Sequence, residues 1–323
     1  MPLDFALSTA RLQLLRSGAV FVPDTPALFR VAGSGALTCL QGLLTNDLVA
    51  PGDGSLVYGA MLTPKGMIVF DTWVFRDGES FTMVTAGSAR AAAAELFRRA
   101  LPPRLAKVTD LTDSHRAAWL LGAAAPERLA RTIDAPIAQA ARASRAGPGD
   151  ALLLAGGTAT APFTALLIAP AERLEEIAGG FAGGRATTGE AQDLAAAAIL
   201  AGWPSLGREI DEKTLPQEVR YDEIGGVSYT KGCYTGQETV ARIHFRGRVN
   251  RSLRGLSVEG PEPLTERPLM LAEKEIGVAR SALLLEDRVL ALGQVRREVE
   301  NGAEVIVSGR KAVVVPLPFD SIA

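Results

Sequence analysis

The sequence predicts an α+β protein with two similar subdomains and a small C-terminal β-barrel or sandwich. Three observations carry that expectation. Strand–strand–helix units occur twice before residue 200, without strict β–α–β alternation and without a close sequence repeat. The turns between apolar runs hold the residues that tight antiparallel turns need. After about residue 248 the texture changes to short apolar runs split by Gly, Pro and charged residues, with no helical pattern.

The elements follow in order. AVFVP (19–23) reads as an early strand, closed by a turn at Asp24-Thr25-Pro26, and a short helix follows over about Ser34–Leu43, ending near Gly42. LVYGAML (56–62), MIVFDTWVF (67–75) and SFTMVTAG (80–87) form an antiparallel meander. Thr63-Pro64-Lys65-Gly66 supplies its first turn and Asp77-Gly78 its second. SARAAAAELFRRAL (88–101) is a helix, with Ser88 as N-cap and Pro102-Pro103 as its stop. AKVTDLTD (106–113) and RAAWLLGA (116–123) read as strands, and PERLARTI (126–133) as a helix with proline in its first turn. DALLLAGGT (150–158) and FTALLIAP (163–170) are strands before the helix AERLEEIAGGF (171–181). GEAQDLAAAAILAG (189–202) is a helix closed by Gly202. Beyond the boundary near 245–250, six apolar runs from SLRGLSV (252–258) to KAVVVPLPF (311–319) supply the barrel strands.

The bulk numbers narrow the function classes. The chain has 323 residues, 47% hydrophobic and 22% charged, enough apolar material for a large core without disulfides or metals. Lys+Arg (34) and Asp+Glu (36) nearly cancel, so global charge gives no sign of a direct nucleic-acid or membrane partner. Cys39 and Cys233 are too far apart for a metal-ligand motif, and His115 and His244 are the only histidines, so no stably bound metal is expected. The opening residues lack a signal-peptide core, and no stretch reaches about 18 apolar residues. A cytoplasmic monomer is the expectation.

The most unusual octet is KGCYTGQE (231–238). If GGVSYT (225–230) is a strand that runs on, alternation sets Lys231 and Cys233 on one face. Thr235 and Glu238 match a capping box, which would place Cys233 just before a helix N-terminus. A cation and a helix N-terminus both favour thiolate. Cysteine also packs well as a small buried hydrophobe, with the glycines only turning the chain and Glu238 only capping. Spacing alone leaves both readings open.

Two other places could carry chemistry. Alternation in MIVFDTWVF puts Val69, Asp71 and Trp73 on one face. A carboxylate among apolar neighbours is either a general base or ligand acceptor, or is satisfied by solvent or a loop amide. ARIHFRGRVNRSLR (241–254) carries Arg242, Arg246, Arg248, Arg251 and Arg254 and no acid. Such a run is a solvated face or a grip for carboxylate or phosphate.

LQGLLTNDL (40–48), LTPKGMIVFD (62–71), LPQE (215–218) and KGCYTGQETVARIHFRG (231–247), in this order, resemble the YgfZ-type folate-binding proteins. These are relatives of the aminomethyltransferase (T-protein) of the glycine cleavage system. The resemblance spans nearly the whole chain, including GVARSA (277–282) and ALGQVRRE (291–298) in the last part. It implies a three-domain ring: residues 1–247 as a folate-binding, aminomethyltransferase-like unit of two interleaved antiparallel-sheet/helix subdomains, and 248–323 as a C-terminal β-barrel. It implies tetrahydrofolate or a one-carbon derivative as cofactor. It also implies a part in assembly or repair of iron–sulfur clusters in client enzymes, including tRNA-modifying ones, with iron–sulfur client or assembly proteins as partners. Cys233, Lys231 and Asp71 are then the chemically active residues, and Asp71, Lys231, Tyr234, Gln237, Arg242 and Arg246 the folate contacts. Three positions depart from the T-protein pattern. Phe70 stands beside Asp71 in place of a second acid, Leu200 where a pterin-holding glutamate would fall, and Gly35 where relatives often have aspartate. The first two argue against glycine-cleavage activity, and Gly35 weakens only local capping. A folate-dependent one-carbon transferase with Asp71 as base or orienting acid is the alternative, and a scaffold with a vestigial pocket a third reading.

Overall fold

The computed structural model describes residues 4–147, 151–183 and 186–319; Asp150, at the head of one predicted strand, and the first three residues lie outside them. Strand β1 (Asp4–Ala6), helix α1 (Thr9–Ser17), strands β2 (Ala19–Asp24) and β3 (Ala27–Ala32) and helix α2 (Ala36–Gln41) come first. Helix α1 and strand β3 extend the sequence reading. Ser8 caps α1 by accepting from the Arg11 amide, and Thr25-Pro26 separates the end of β2 at Asp24 from the start of β3 at Ala27.

The meander forms as expected from β4 (Leu56–Leu62), β5 (Ile68–Asp77) and β6 (Ser80–Thr85). The Gly66 amide donates to Thr63 O at 2.9 Å in the first turn, and Gly78 adopts φ 59° in the second. Helix α3 (Arg90–Ala100) is not capped by Ser88. A 3-10 turn over Gly87–Ala89 precedes it, so Ser88 lies inside that turn and the cap position falls on Ala89 without a side-chain bond. Strands β7 (Lys107–Asp110) and β8 (His115–Leu121), helix α4 (Ala125–Ile133), strands β9 (Ala143–Ala146), β10 (Leu152–Gly156) and β11 (Ala165–Pro170), helix α5 (Ala171–Phe181), strand β12 (Ala186–Thr188) and helix α6 (Ala191–Ala201) follow. Gly202 closes α6 at φ 62°.

Two sheets share these strands. One runs β4-β5-β6-β3-β7 and the other β12-β2-β8-β11-β10-β9. The chain crosses between them after β2 and returns after β7, so the two subdomains interleave. Past helix α7 (Gln237–Arg246), strands β13 (Arg251–Glu259), β14 (Pro268–Leu271), β15 (Lys274–Leu284), β16 (Arg288–Arg296), β17 (Glu304–Val307) and β18 (Arg310–Val315) close into a six-strand barrel through the β15–β16 pairing. Closure removes the open edges that would otherwise invite pairing. Strand β1 lies parallel on β15, so the start of the chain joins the barrel sheet.

One apolar cluster threads all three units. It joins Tyr58 and Trp73, Trp119 and Leu166, Ile199, and the barrel's Leu283, Leu292 and Phe319. Polar ties reinforce it. Buried Glu209 accepts from the hydroxyl and amide of Ser281 on β15, and Arg11 makes a bidentate pair with buried Asp193 at 2.7 and 2.6 Å.

Candidate functional site

A cavity of about 270 Å³ opens between the two sheets, against α6 and the segment 203–208. Its wall carries Trp73 from β5, Trp119 from β8, Phe163, Trp203 and the carboxylate of Asp71. Trp73 and Trp203 stack at 5.4 Å and 14°, and Phe163 sets its ring 4.9 Å from both Trp73 and Trp119. Trp119 Nε1 donates to Asp24 Oδ2 at 2.8 Å, which fixes that indole and occupies the second acid of the wall.

Asp71 and Trp73 do share a face of β5, but Val69 does not join them. Leu62 pairs with Ile68 and Met61 with Phe70, so Val69 is a bulged residue that packs with the opposite cluster. Asp71 is enclosed by protein yet partly open to the cavity. Its Oδ2 accepts from the Tyr58 hydroxyl at 2.9 Å, and that hydroxyl lies 3.1 Å from the Tyr221 hydroxyl. Burial raises the Asp71 pKa, with the Tyr58 bond working against it. Burial, with the nearby Asp71 charge, holds both phenols well above their ordinary value, so they act as donors here.

The KGCYTGQE loop is built differently from the sequence expectation. Residues 227–235 form no strand, because they enter none of the sheet ladders. Lys231 and Cys233 therefore do not share a strand face. The Lys231 side chain is buried and its ammonium donates to Gln41 O, Leu44 O and Asn46 O at 2.8, 2.6 and 2.8 Å. Three donors meet three carbonyls, so this cation clasps the LQGLLTND segment and is not aimed at the thiol. Burial draws its pKa down to about 8, against the pull of the Asp47 carboxylate. Tyr234 lies under it, the ammonium 5.0 Å from the ring centre, and burial followed by Asp222 lifts the phenol to about 12. Cys233 is exposed. The capping box is absent too. Gly236, at φ 81°, is the cap of α7, and neither Thr235 nor Glu238 makes a side-chain cap bond.

Two glycines let this loop meet the β4–β5 hairpin backbone to backbone. A Cβ on Gly236 would lie 2.6 Å from Thr63 O, and one on Gly66 2.9 Å from Thr239 Cβ. Asn46 completes the junction, its amide nitrogen donating to Tyr58 O at 2.8 Å and Gly225 O at 2.7 Å.

The structure thus brings Cys233, Lys231 and Tyr234 into one loop and sets Asp71 in the cavity wall. Gln237, Arg242 and Arg246 lie on α7; none of these six joins Asp71 in lining the cavity. Leu200 lines a neighbouring hollow, and its carbonyl accepts from the Phe319 amide. The sequence reading missed Tyr58, Trp119, Phe163, Trp203 and Tyr221, which come from distant segments. One signal was available, because the chain holds only three tryptophans and all three line this cavity. Among the described residues no cluster of three or more His, Cys, Asp or Glu could hold a metal ion, and no helix is long and apolar enough to cross a membrane.

Comparison with known proteins agrees with this architecture. Residues 16–144 match the GCVT N-terminal domain. The chain is 30% identical over 305 residues to the tRNA-modifying protein YgfZ of Cronobacter sakazakii, covering 91% of this chain and 90% of that one. It is 30% identical over 291 residues to the YgfZ of an Escherichia coli O157:H7 strain, covering 87% and 84%. Among solved structures, the glycine cleavage system aminomethyltransferase T from Bartonella henselae superposes with a TM-score of 0.82 at 22% identity, over 94% of this chain and 87% of that one. The interleaved sheets, the closed barrel and the length of the shared sequence lead to one conclusion: the chain belongs to the YgfZ family and has the fold of the glycine cleavage T-protein.

Proposed function

We propose that the protein binds tetrahydrofolate or a one-carbon derivative in the aromatic cavity. In that state it serves as an accessory factor for assembly or repair of iron–sulfur clusters in client enzymes, including enzymes that modify tRNA. The observation that carries the proposal is the pairing of an aromatic wall with one enclosed carboxylate. A pterin is a flat heterocycle with several N–H donors. Trp73, Trp203 and Phe163 offer it apolar faces, and Asp71 offers an acceptor already oriented by Tyr58. The volume, about 270 Å³, is near the roughly 300 Å³ lower bound of small-molecule pockets, which suits the ring system. Bound there, the cofactor would supply a one-carbon carrier; Tyr58 and Tyr221 keep their protons and orient Asp71. Cys233 is the accessible thiol for a client. One sulfur cannot hold a cluster alone, so it would supply a single ligand to a shared, transient site.

The test uses the chain's own tryptophans. Because all three line the cavity, titration with tetrahydrofolate quenches their fluorescence saturably. Absence of saturable quenching and of calorimetric heat rejects the folate reading. In a strain lacking the protein, Cys233→Ala should fail to restore iron–sulfur enzyme activity; full restoration removes the thiol from the proposal.

A second reading, folate-dependent one-carbon transfer, is favoured by one observation. Asp71 is an enclosed carboxylate of raised pKa in a cleft, the profile of a general base. A methylene-transfer assay with Asp71→Asn as control decides it, and no turnover on aminomethyl donors removes it.

A further inference from the structure

The near-neutral bulk charge conceals a strongly cationic region. Where α7 gives way to the barrel, a further hollow of about 310 Å³ is lined by Asn250, Arg251, Arg296, Arg297 and Glu298. Arg251 and Arg296 stand directly opposite each other in the β13–β16 ladder. Like charges so placed repel. Arg296 approaches Glu298 only at 3.7 Å, and its Nε is buried with no partner among the described residues. Glu298 also feels Lys274 and Arg297, so three cations share one carboxylate. Glu218, the other acid near Arg251, already uses an oxygen on the Leu215 amide.

The cationic region continues back along the chain. Arg242, Arg246, Arg248, Arg251 and Arg297 are exposed, and none makes an ion pair or side-chain hydrogen bond among the described residues. Between them Phe245 is 68% exposed, with the His244 ring edge-on at 4.8 Å, and His244 in turn stacks on Tyr229 at 3.6 Å. Phe245 and Arg251 are six residues apart, so they lie within roughly 20 Å along the chain. Unpaired guanidinium groups in a row with an exposed aromatic face are the features that bind a single nucleic-acid strand. The arginines meet phosphates, and the ring stacks on a base.

We infer that this face binds single-stranded RNA, with the hollow between Arg251, Arg296 and Arg297 seating a backbone phosphate and Phe245 receiving an unstacked base. The hollow shares no residue with the aromatic cavity, so the inference stands apart from the folate reading. An open, polar hollow at the edge of a basic surface suits one phosphate of a chain better than an isolated small anion.

The test is anisotropy of a fluorescein-labelled, unstructured RNA with the full-length protein, at increasing potassium chloride. Wild type should bind with log Kd linear in log salt. The double variant Arg251→Ala/Arg297→Ala should bind at least about tenfold more weakly, with the slope reduced by about 0.7 for each arginine that meets a phosphate. Phe245→Ala should weaken binding and leave the slope unchanged. Arg297→Gln alone, an exposed position, serves if the double variant folds poorly. Unchanged affinity and slope in these variants overturn the proposal. So does displacement of RNA by micromolar inorganic phosphate, which assigns the hollow to a free anion. Binding of tri-glutamate with none of RNA assigns it to a carboxylate tail and equally overturns it.

Discussion

Asp71 and Lys231 are both enclosed ionisable groups, and their neighbours give them opposite tasks. Burial raises the Asp71 pKa, so the folded chain keeps a proton on it at pH values where the unfolded chain does not. Its stabilising contribution is therefore complete below the ordinary carboxylate pKa and is lost as pH rises through the folded value. Asp71→Asn is expected to raise the Tm at neutral pH and to flatten that part of the acid dependence. It should also weaken tetrahydrofolate by roughly ten- to a hundredfold, the weight of a hydrogen bond to a charged group. In wild type the affinity should fall as pH drops through the raised pKa; a pH-independent affinity equal to that of the variant contradicts the role. Lys231 acts through structure. Lys231→Met keeps the length of the side chain and strips the donors from three carbonyls, at a cost of about 3 kcal/mol. Denaturant unfolding should show the loss, and alkylation of Cys233 should quicken several-fold as the loop loosens. An unaltered alkylation rate would mean that the clasp does not hold the thiol loop.

At the level of elements, the hairpins were legible because their turn residues act locally. Thr63-Pro64-Lys65-Gly66 and Asp77-Gly78 need no distant partner to bend the chain. Helix α6 and its Gly202 stop were legible for the same reason. Residues 225–235 were not. Their β-like composition predicts a strand, but a strand needs a ladder, and these backbone groups bond instead to the 42–45 segment: the Ser228 amide to Thr45 O and the Thr235 amide to Gly42 O. Alternation then has no meaning there, which is why Lys231 and Cys233 part company. The same junction yields a prediction. Gly236→Ala forces a Cβ at positive φ against the Thr63 carbonyl, so it should cost about 2–4 kcal/mol by strain and displaced backbone together. Gly232→Ala, with nothing within 4 Å of the added carbon, should cost little by contrast. Equal denaturation midpoints for the two would refute the interlock.

For the molecule as a whole, the architecture was readable as α+β plus barrel, and the resemblance added its interleaving. The aromatic cavity was invisible to local reasoning. Trp73, Trp119, Phe163 and Trp203 come from four separate segments and converge only when both sheets and α6 are in place. Parallel addition of β1 to β15 was equally hidden, since three residues carry too little periodicity to read. The shared core has an energetic counterpart. Leu292 of the barrel belongs to the same apolar cluster as Tyr58 and Trp73. Leu292→Ala should cost about 2–5 kcal/mol and lower a single unfolding transition seen alike by tryptophan emission and by far-ultraviolet circular dichroism. If only one probe shifts, the barrel unfolds on its own.

Asn46 stands between the thiol loop and the cavity. Its carbonyl receives Lys231, its amide holds the Tyr58 carbonyl, and the Tyr58 hydroxyl holds Asp71. One residue thus belongs to both neighbourhoods, and thermodynamic reciprocity follows. By whatever factor a bound folate would change the affinity of a ligand for the exposed Cys233 sulfur, that ligand would change the affinity for folate by the same factor. Under the proposed function, a client that grasps the thiol would load or empty the cavity without touching it, by way of Asn46.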